Sequence, residues 1–140
     1  MAPRTLKRVL ALGTVTGMRS MAGAATLAAQ RGGLLRGATA IMAIGEMIAD
    51  KTAVVGNRTD AGPQTGRALM GALVGAFVAH EDGEPVWLGA LVGAGTAIAA
   101  THLSYQWRTR VPLPITLAGL LEDAIVIGAG TLYAKRDGHA

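Results

Sequence analysis

Five long apolar segments alternate with short polar connections along the chain. They cover residues 9–30, 34–55, 63–80, 85–107 and 113–134. A helix of 22 residues is about 33 Å long, which is enough to cross a hydrocarbon core of about 30 Å. Residues 68–79 and 86–100 carry no charged side chain at any helical angle, whereas a surface helix of a soluble protein needs a polar face. The pattern predicts an all-α, polytopic membrane helix bundle of about five transmembrane helices.

The composition favours a single integral-membrane domain over residues 1–140. Apolar residues make up 51% of the chain, 20 residues are glycine, and only 16% are charged, compared with about 25% in soluble domains. A soluble bundle rich in alanine and glycine is the alternative, because charged residues interrupt four of the five segments. The absence of cysteine excludes disulfides, thiolate metal sites and cysteine nucleophiles.

A glycine-containing hexapeptide occurs twice, in the third and fourth segments. Gly71-Ala-Leu-Val-Gly75-Ala and Gly89-Ala-Leu-Val-Gly93-Ala lie eighteen residues apart. Each places two glycines on one helix face, which allows close backbone packing within a bilayer. We expect these glycines to pack helices within one chain or across a homo-oligomer. Other glycines precede Arg19, and two prolines precede the fifth segment, so the first or fifth helix is expected to be broken.

Basic residues lie in ones and twos near the segment ends, as they do around membrane spans. They form no basic stripe, so the net charge of +4 does not indicate nucleic-acid binding. With the N-terminus inside, eight Lys and Arg residues fall on the cytoplasmic side and four on the other, together with the acidic residues of 81–84. The positive-inside rule therefore predicts a cytoplasmic N-terminus. The basic start followed by apolar residues 9–18 also fits a signal peptide, but we expect a retained first helix.

Charged residues inside three of the segments form the candidate site. Arg19, Glu46, Glu122 and Asp123 each lie nine or ten residues from the predicted inner edge, at a depth of about 13–15 Å. A lone charge there costs at least about 2.5–3.5 kcal/mol, so we expect these side chains to face one another or water. The predicted polar cluster comprises Arg19, Glu46, Asp50, Lys51, Glu122 and Asp123.

Two cationic and four acidic residues in this cluster leave an excess of negative charge. Either some carboxylates are protonated or a bound cation completes the cluster, and no other cofactor is expected. One interpretation is a transporter or channel for a cation, proton or small solute. A second is a non-catalytic membrane protein whose ion pairs set the helix register. A third is an intramembrane enzyme dependent on a divalent metal, because oxygen ligands suit Mg²⁺, Ca²⁺ or Mn²⁺.

Enzymatic function is the less favoured interpretation. Ser20 and Thr26 have no general base at a recognisable spacing, so nucleophilic catalysis is unsupported. The three histidines show no metal-ligand spacing. The expected partners are the lipid bilayer, a small ion or solute, and a second copy of the chain.

Three motifs together resemble a bacterial integral-membrane family catalogued as a domain of unknown function. They are Gly17-Met18-Arg19-Ser20, Glu46-Met47-Ile48-Ala49-Asp50-Lys51, and the Pro112-Leu-Pro segment that leads to Glu122-Asp123. The family pattern has a Gly-Leu-Arg-Ala-like motif, a Glu-x-x-Ala-Asp-Lys motif and a late proline-rich segment followed by Glu-Asp. The resemblance covers nearly the whole chain. It implies a protein of the bacterial inner membrane with these residues at its site, but it implies no activity.

Overall fold

Helices account for all the regular secondary structure within the described residues. The computed structural model describes residues 1–19, 22–31, 61–110, 112, 114 and 115–134. The helices are α1 (Pro3–Met18), α2 (Ala22–Arg31), α3 (Ala61–Glu81), α4 (Val86–Arg110) and α5 (Ile115–Ala134). The all-α prediction is therefore confirmed for this part of the chain.

The first predicted span consists of two helices that fold back on each other. Arg19 has extended backbone angles, with φ −140° and ψ 111°, and ends α1. A Cβ atom added to Gly23 would lie 2.0 Å from Thr16 Oγ1 and 3.0 Å from the carbonyl oxygen of Leu12. Seven and eleven residues separate these positions from Gly23, so such contacts require the chain to reverse. The break expected in the first helix is therefore confirmed at Arg19, and residues 9–30 do not form one continuous span, whereas the fifth segment forms the continuous helix α5.

An antiparallel hairpin of α3 and α4 forms the most extensive helix contact. Its turn contains Gly83 with φ +70°, a left-handed conformation that glycine adopts without a steric penalty. The two glycine hexapeptides lie at equal distances on either side of this turn and therefore face each other. A Cβ added to Gly75 would lie 2.1 Å from the carbonyl oxygen of Gly89, and one added to Gly93 would lie 2.1 Å from that of Gly71. The close packing of these glycines is internal to the chain.

Helix α1 packs against the same hairpin through small residues. A Cβ on Gly17 would lie 2.3 Å from the carbonyl oxygen of Ala97, and Thr101 Oγ1 donates to the carbonyl oxygen of Gly17 over 3.0 Å. One cluster of buried apolar residues combines Val9, Leu12, Leu27, Val74, Val78 and Ala134, and Val92 of α4 packs against it. Helix α4 also buries Ala97 and Ala100. Helix α5 packs mainly against α1 and α2. This packing leaves a space between α4 and α5.

The N-terminus and the acidic turn lie at the same end of the bundle, because α2 reverses the direction of α1. The backbone N–H of Ala2 donates to Glu84 Oε1 over 2.7 Å, and Arg8 Nε donates to the carbonyl oxygen of Tyr133 over 3.3 Å. We call this end, which includes the C-terminus of α5, the turn end. The predicted topology, with the N-terminus on one side and residues 81–84 on the other, is wrong. The comparison of Lys and Arg residues on the two sides of the membrane assumed that topology, so it no longer supports a cytoplasmic N-terminus.

One stretch of the described residues is long and apolar enough to cross a membrane. It covers the 22 residues Val86–Trp107 of α4. The structure thus contains one candidate span within the described residues.

Candidate functional site

Three of the six residues in the predicted polar cluster lie within the described part of the chain. They are Arg19 at the end of α1 and the neighbouring residues Glu122 and Asp123 on α5. Glu46, Asp50 and Lys51 lie outside the described residues.

Arg19 and Asp123 form an ion pair between α1 and α5. Arg19 Nη2 donates to Asp123 Oδ1 over 2.7 Å, the length of a charge-assisted hydrogen bond. The side chains are 33% and 45% exposed, respectively. Arg19 Nε is buried and makes no hydrogen bond within the described residues. The position of Arg19 at the end of α1 thus brings the Arg19 guanidinium to the level of Glu122 and Asp123 on α5.

Glu122 faces a different helix from its neighbour Asp123. Adjacent residues of a helix point about 100° apart, so the two carboxylates diverge. The Glu122 side chain is buried, with 3% of the residue exposed, and Oε1 accepts a hydrogen bond of 2.9 Å from Ser104 Oγ on α4. This hydrogen bond joins α4 and α5, which otherwise make little direct contact.

Glu122 and Ser104 line an open groove between α1, α4 and α5. The groove has a volume of about 730 Å³, within the range of about 300–1,000 Å³ found for small-molecule sites. Most of its wall is apolar. The lining residues are Thr14 and Met18 of α1, Thr96, Ala99, Ala100, Leu103, Ser104 and Trp107 of α4, and Leu121, Glu122 and Ile125 of α5.

Among the described residues that line the groove, Glu122 is the one that carries a charge. A carboxylate with a hydroxyl donor in an apolar, partly enclosed space can hold a proton or a cation, because burial strengthens its attraction for positive charge. Sequence reasoning identified Glu122 but missed the contribution of Ser104. A lone serine in an apolar helix does not reveal which neighbouring helix it faces.

A second polar cluster, which sequence reasoning missed, lies at the turn end. Arg8 is 3% exposed and forms ion pairs with Asp82 and, over 3.4 Å, with Glu81. Thr5 Oγ1 donates to Asp82 Oδ2 over 2.9 Å. The helical spacing of residues 5, 8, 12 and 16 places Arg8 on the buried face of α1. This spacing could have indicated that Arg8 is buried, but its charge led to its assignment to the basic residues that flank the first apolar segment.

The described residues contain no group of three or more His, Asp or Glu side chains placed to hold a metal ion. His102 Nε2 lies 2.8 Å from Gln64 Nε2, a contact that connects α4 to the start of α3. His80 is exposed near the end of α3.

No known protein family matches the chain, and no curated protein or solved structure matches it either.

Proposed function

We propose that the protein is a small integral-membrane transporter that binds a cation or a proton at Glu122. The observation that carries this proposal is the buried Glu122 carboxylate, which opens into an apolar groove between three helices. Arg19 at the end of α1 pairs with Asp123, the neighbour of Glu122 on α5, and would act as the nearby counter-charge.

A membrane location is supported by the distribution of polar and apolar side chains. Buried polar residues include Arg8, Arg67 and Glu122. Large apolar side chains that are more than 60% exposed occur on three helices, and these are Leu69 and Leu73 of α3, Trp87, Leu91 and Leu103 of α4, and Leu120, Ile127 and Leu132 of α5. Such a surface suits lipid, because a soluble monomer rarely exposes large contiguous apolar patches.

Several finer proposals rest on the sequence patterns. They are membership of the uncharacterised membrane family, a place in a bacterial inner membrane, several membrane-spanning segments, and association with a second copy of the chain. The exposed apolar faces of α3, α4 and α5 agree with contact to lipid or to another copy. The positive-inside rule supports neither orientation, since basic residues lie at both ends of the bundle, with Arg4 and Lys7 near the start of α1 and Arg110 at the end of α4.

Flux measurements test the proposal. The purified protein is reconstituted into liposomes, and proton and monovalent-cation movement is followed under an imposed gradient and membrane potential. We expect flux above that of empty liposomes, and the Glu122→Gln variant should return it to the background. Glu84→Gln makes the same chemical change at the turn end, away from the groove, and should retain the flux. Equal flux in the wild type and the Glu122→Gln variant would refute the proposal.

A non-catalytic scaffold is the second candidate function. The ion pairs at Arg8 and the glycine contacts between α3 and α4 favour it, because both join helices without requiring a ligand. A scaffold predicts that no cation shifts the melting temperature of the purified protein. It also predicts that Arg19→Ala strongly destabilises the fold. No observation on the described residues favours the metal-dependent enzyme.

A further inference from the structure

We propose that aromatic side chains at both ends of α4 hold this helix across a lipid bilayer, and that Glu122 therefore lies just below the headgroups at one membrane surface instead of at the bilayer centre. The inference rests on the membrane location proposed above, and it gives the proposed binding site a depth and a side. We call the end of the bundle opposite the turn end, where α4 ends and α5 begins, the far end.

Exposed aromatic residues lie near both ends of α4. Trp87 is at its start, at the turn end, and Tyr105 and Trp107 are close to its end. Twenty residues separate the two tryptophans, which is about 30 Å along a helix and matches a hydrocarbon core of about 30 Å. Tryptophan and tyrosine are enriched at both surfaces of a membrane because their rings are largely apolar and carry one polar group. The spacing therefore indicates bilayer boundaries near Trp87 and Trp107.

Large apolar side chains are exposed between these boundaries. Leu91 and Leu103 of α4 are exposed, as are Leu69 and Leu73 of α3, and the glycine contacts place the α3 residues beside the middle of α4. An exposed apolar surface that ends in aromatic rings fits the acyl chains of a bilayer, because the rings prefer the headgroup level. Lipid is thus the partner that this surface fits.

The hydrogen bond between Ser104 and Glu122 sets the depth of the Glu122 carboxylate. Ser104 precedes Trp107 by three residues, or about 4.5 Å along the helix. It follows Trp87 by 17 residues, or about 26 Å. Glu122 therefore lies close to the far-end boundary, where a proton or cation would reach it from the solution on that side.

The end of α1 reaches the same level through a different contact. Thr101 donates to the carbonyl oxygen of Gly17, and Arg19 follows Gly17 by two residues. The Arg19 guanidinium thus lies near the level of Ser104, about one turn of helix from Trp107. Two independent hydrogen bonds therefore place the described charged residues of the site near the far-end boundary.

The exposure of the charged side chains agrees with this depth. Arg19 and Asp123 are 33% and 45% exposed, and exposing a charge to lipid is costly at the bilayer centre but much less so near the headgroups. Arg67 of α3 lies one turn from Gly71, which contacts Ala97 at the middle of α4, and it is 4% exposed. Charge is thus buried at the predicted centre and exposed near the predicted surface.

Depth-dependent quenching by brominated lipids tests the inference. Leu120 and Ile127 lie seven residues apart on one face of α5 and are 61% and 63% exposed. Each is replaced by tryptophan in the background Trp87→Phe with Trp107→Phe. The protein is reconstituted into phosphatidylcholine vesicles that carry bromine either near the headgroup or near the chain ends.

The two positions on α5 should differ in depth by about 10 Å. With Glu122 at the level of Ser104, Leu120 lies about 13 Å and Ile127 about 3 Å from the bilayer centre. We expect bromine near the headgroup to quench Leu120→Trp more strongly, and bromine near the chain ends to quench Ile127→Trp more strongly. If Glu122 lay at the centre, Leu120 would be the deeper residue, so the opposite order would overturn the inference.

The native tryptophans test the boundaries themselves. Trp87→Phe and Trp107→Phe each leave one native tryptophan, and both variants should be quenched best by bromine near the headgroup. Stronger quenching of either one by bromine near the chain ends would overturn the inference, because that tryptophan would then lie inside the hydrocarbon core.

A pair of spin labels keeps the test decisive if the background without native tryptophan fails to fold. The chain has no cysteine, so Leu120→Cys and Ile127→Cys each accept one nitroxide in an otherwise unchanged protein. The label at Leu120 should collide more often with a water-soluble nickel complex, and the label at Ile127 with oxygen, which concentrates at the bilayer centre. The reverse pattern would overturn the inference.

The outcomes separate this inference from the proposed function. If the order of depths on α5 is reversed, the depth of Glu122 is wrong and the membrane location stands. If neither lipid quenches any of the four tryptophan positions, the depth and the membrane location are both wrong. If only the native tryptophans are quenched, a second copy covers α5 and the assignment of its face to lipid is wrong. Transport is tested by the flux measurements, which do not depend on the depth of Glu122.

Discussion

Arg8 and Asp82, 74 residues apart in the sequence, form an ion pair that attaches the start of α1 to the turn between α3 and α4. Arg8 also donates to the carbonyl oxygen of Tyr133 near the end of α5. One buried guanidinium thus connects three chain segments at the turn end.

Loss of the Arg8 side chain is expected to destabilise the fold strongly. Arg8→Ala leaves the carboxylates of Asp82 and Glu81 without their buried partner, which costs about 3–5 kcal/mol in free energy of unfolding. Lys7→Ala changes an exposed residue beside it and should stay within about 0.5 kcal/mol of the wild type. Denaturant titration in detergent measures both. A loss as small as that of Lys7→Ala would show that Arg8 is not a buried anchor.

Cross-linking should distinguish the observed topology from five alternating spans. The chain has no cysteine, so Ala2→Cys with Glu84→Cys provides a clean pair at the turn end. A short bismaleimide should join them within one chain, because Ala2 and Glu84 are in hydrogen-bond contact. Ala2→Cys with Gln106→Cys should not be joined, since Gln106 lies near the far end of α4. Gel mobility after cleavage between the two sites reports the cross-link, and the opposite pattern would favour the five-span topology.

Substitution of a glycine at the hairpin contact should be costly. Gly75→Ala places a Cβ 2.1 Å from a backbone oxygen, so α3 and α4 must separate, at a cost of about 1–3 kcal/mol. Gly95→Ala is the matched control on the same hairpin, because a Cβ there meets no atom within 4 Å. It should stabilise the protein by about 0.5–1 kcal/mol through helix propensity. Thermal unfolding should show a lower melting temperature for Gly75→Ala and a higher one for Gly95→Ala than for the wild type.

The Arg19–Asp123 pair should contribute far less to stability than Arg8. Both side chains are at least one-third exposed, so a double-mutant cycle of Arg19→Ala and Asp123→Asn is expected to give a coupling energy of about 0.2–1 kcal/mol. The scaffold hypothesis requires a strong effect at Arg19. A coupling energy of about 3 kcal/mol or more would therefore favour the scaffold over the transporter.

The glycine contacts between α3 and α4 could be anticipated because the repeated hexapeptide encodes them locally. Two copies at equal distances from a turn must face each other once the chain forms a hairpin, and Gly71 and Gly75 meet Gly93 and Gly89. The helical character of the described residues follows equally directly from the long apolar segments.

Other features depend on tertiary contacts that have no local signature. The glycines before Arg19 indicated a break in the first helix, but the residues on both sides of Arg19 are equally apolar, so hydropathy cannot distinguish a kink from a full reversal. The partner of Glu122 depends on the rotation of α5 relative to α4, which the sequence does not specify. Arg8 illustrates a different limit, because charge alone suggested a flanking position and only its helical phase indicated burial. The predicted roles of Glu46, Asp50 and Lys51 stay predictions.

The hydrogen bond between Ser104 and Glu122 bears on how the bundle can move. The α3–α4 hairpin should behave as a rigid body, because the two backbones are in direct contact at the glycines. Helix α5 rests on α1 and α2 instead, and it meets α4 across the groove through this hydrogen bond. A tilt of α5 would therefore change the width of the groove and break only the hydrogen bond between Ser104 and Glu122 among the described contacts between α4 and α5, while the glycine contacts stay intact. If Glu122 binds a cation or a proton as proposed, its occupancy should therefore be coupled to the angle of α5.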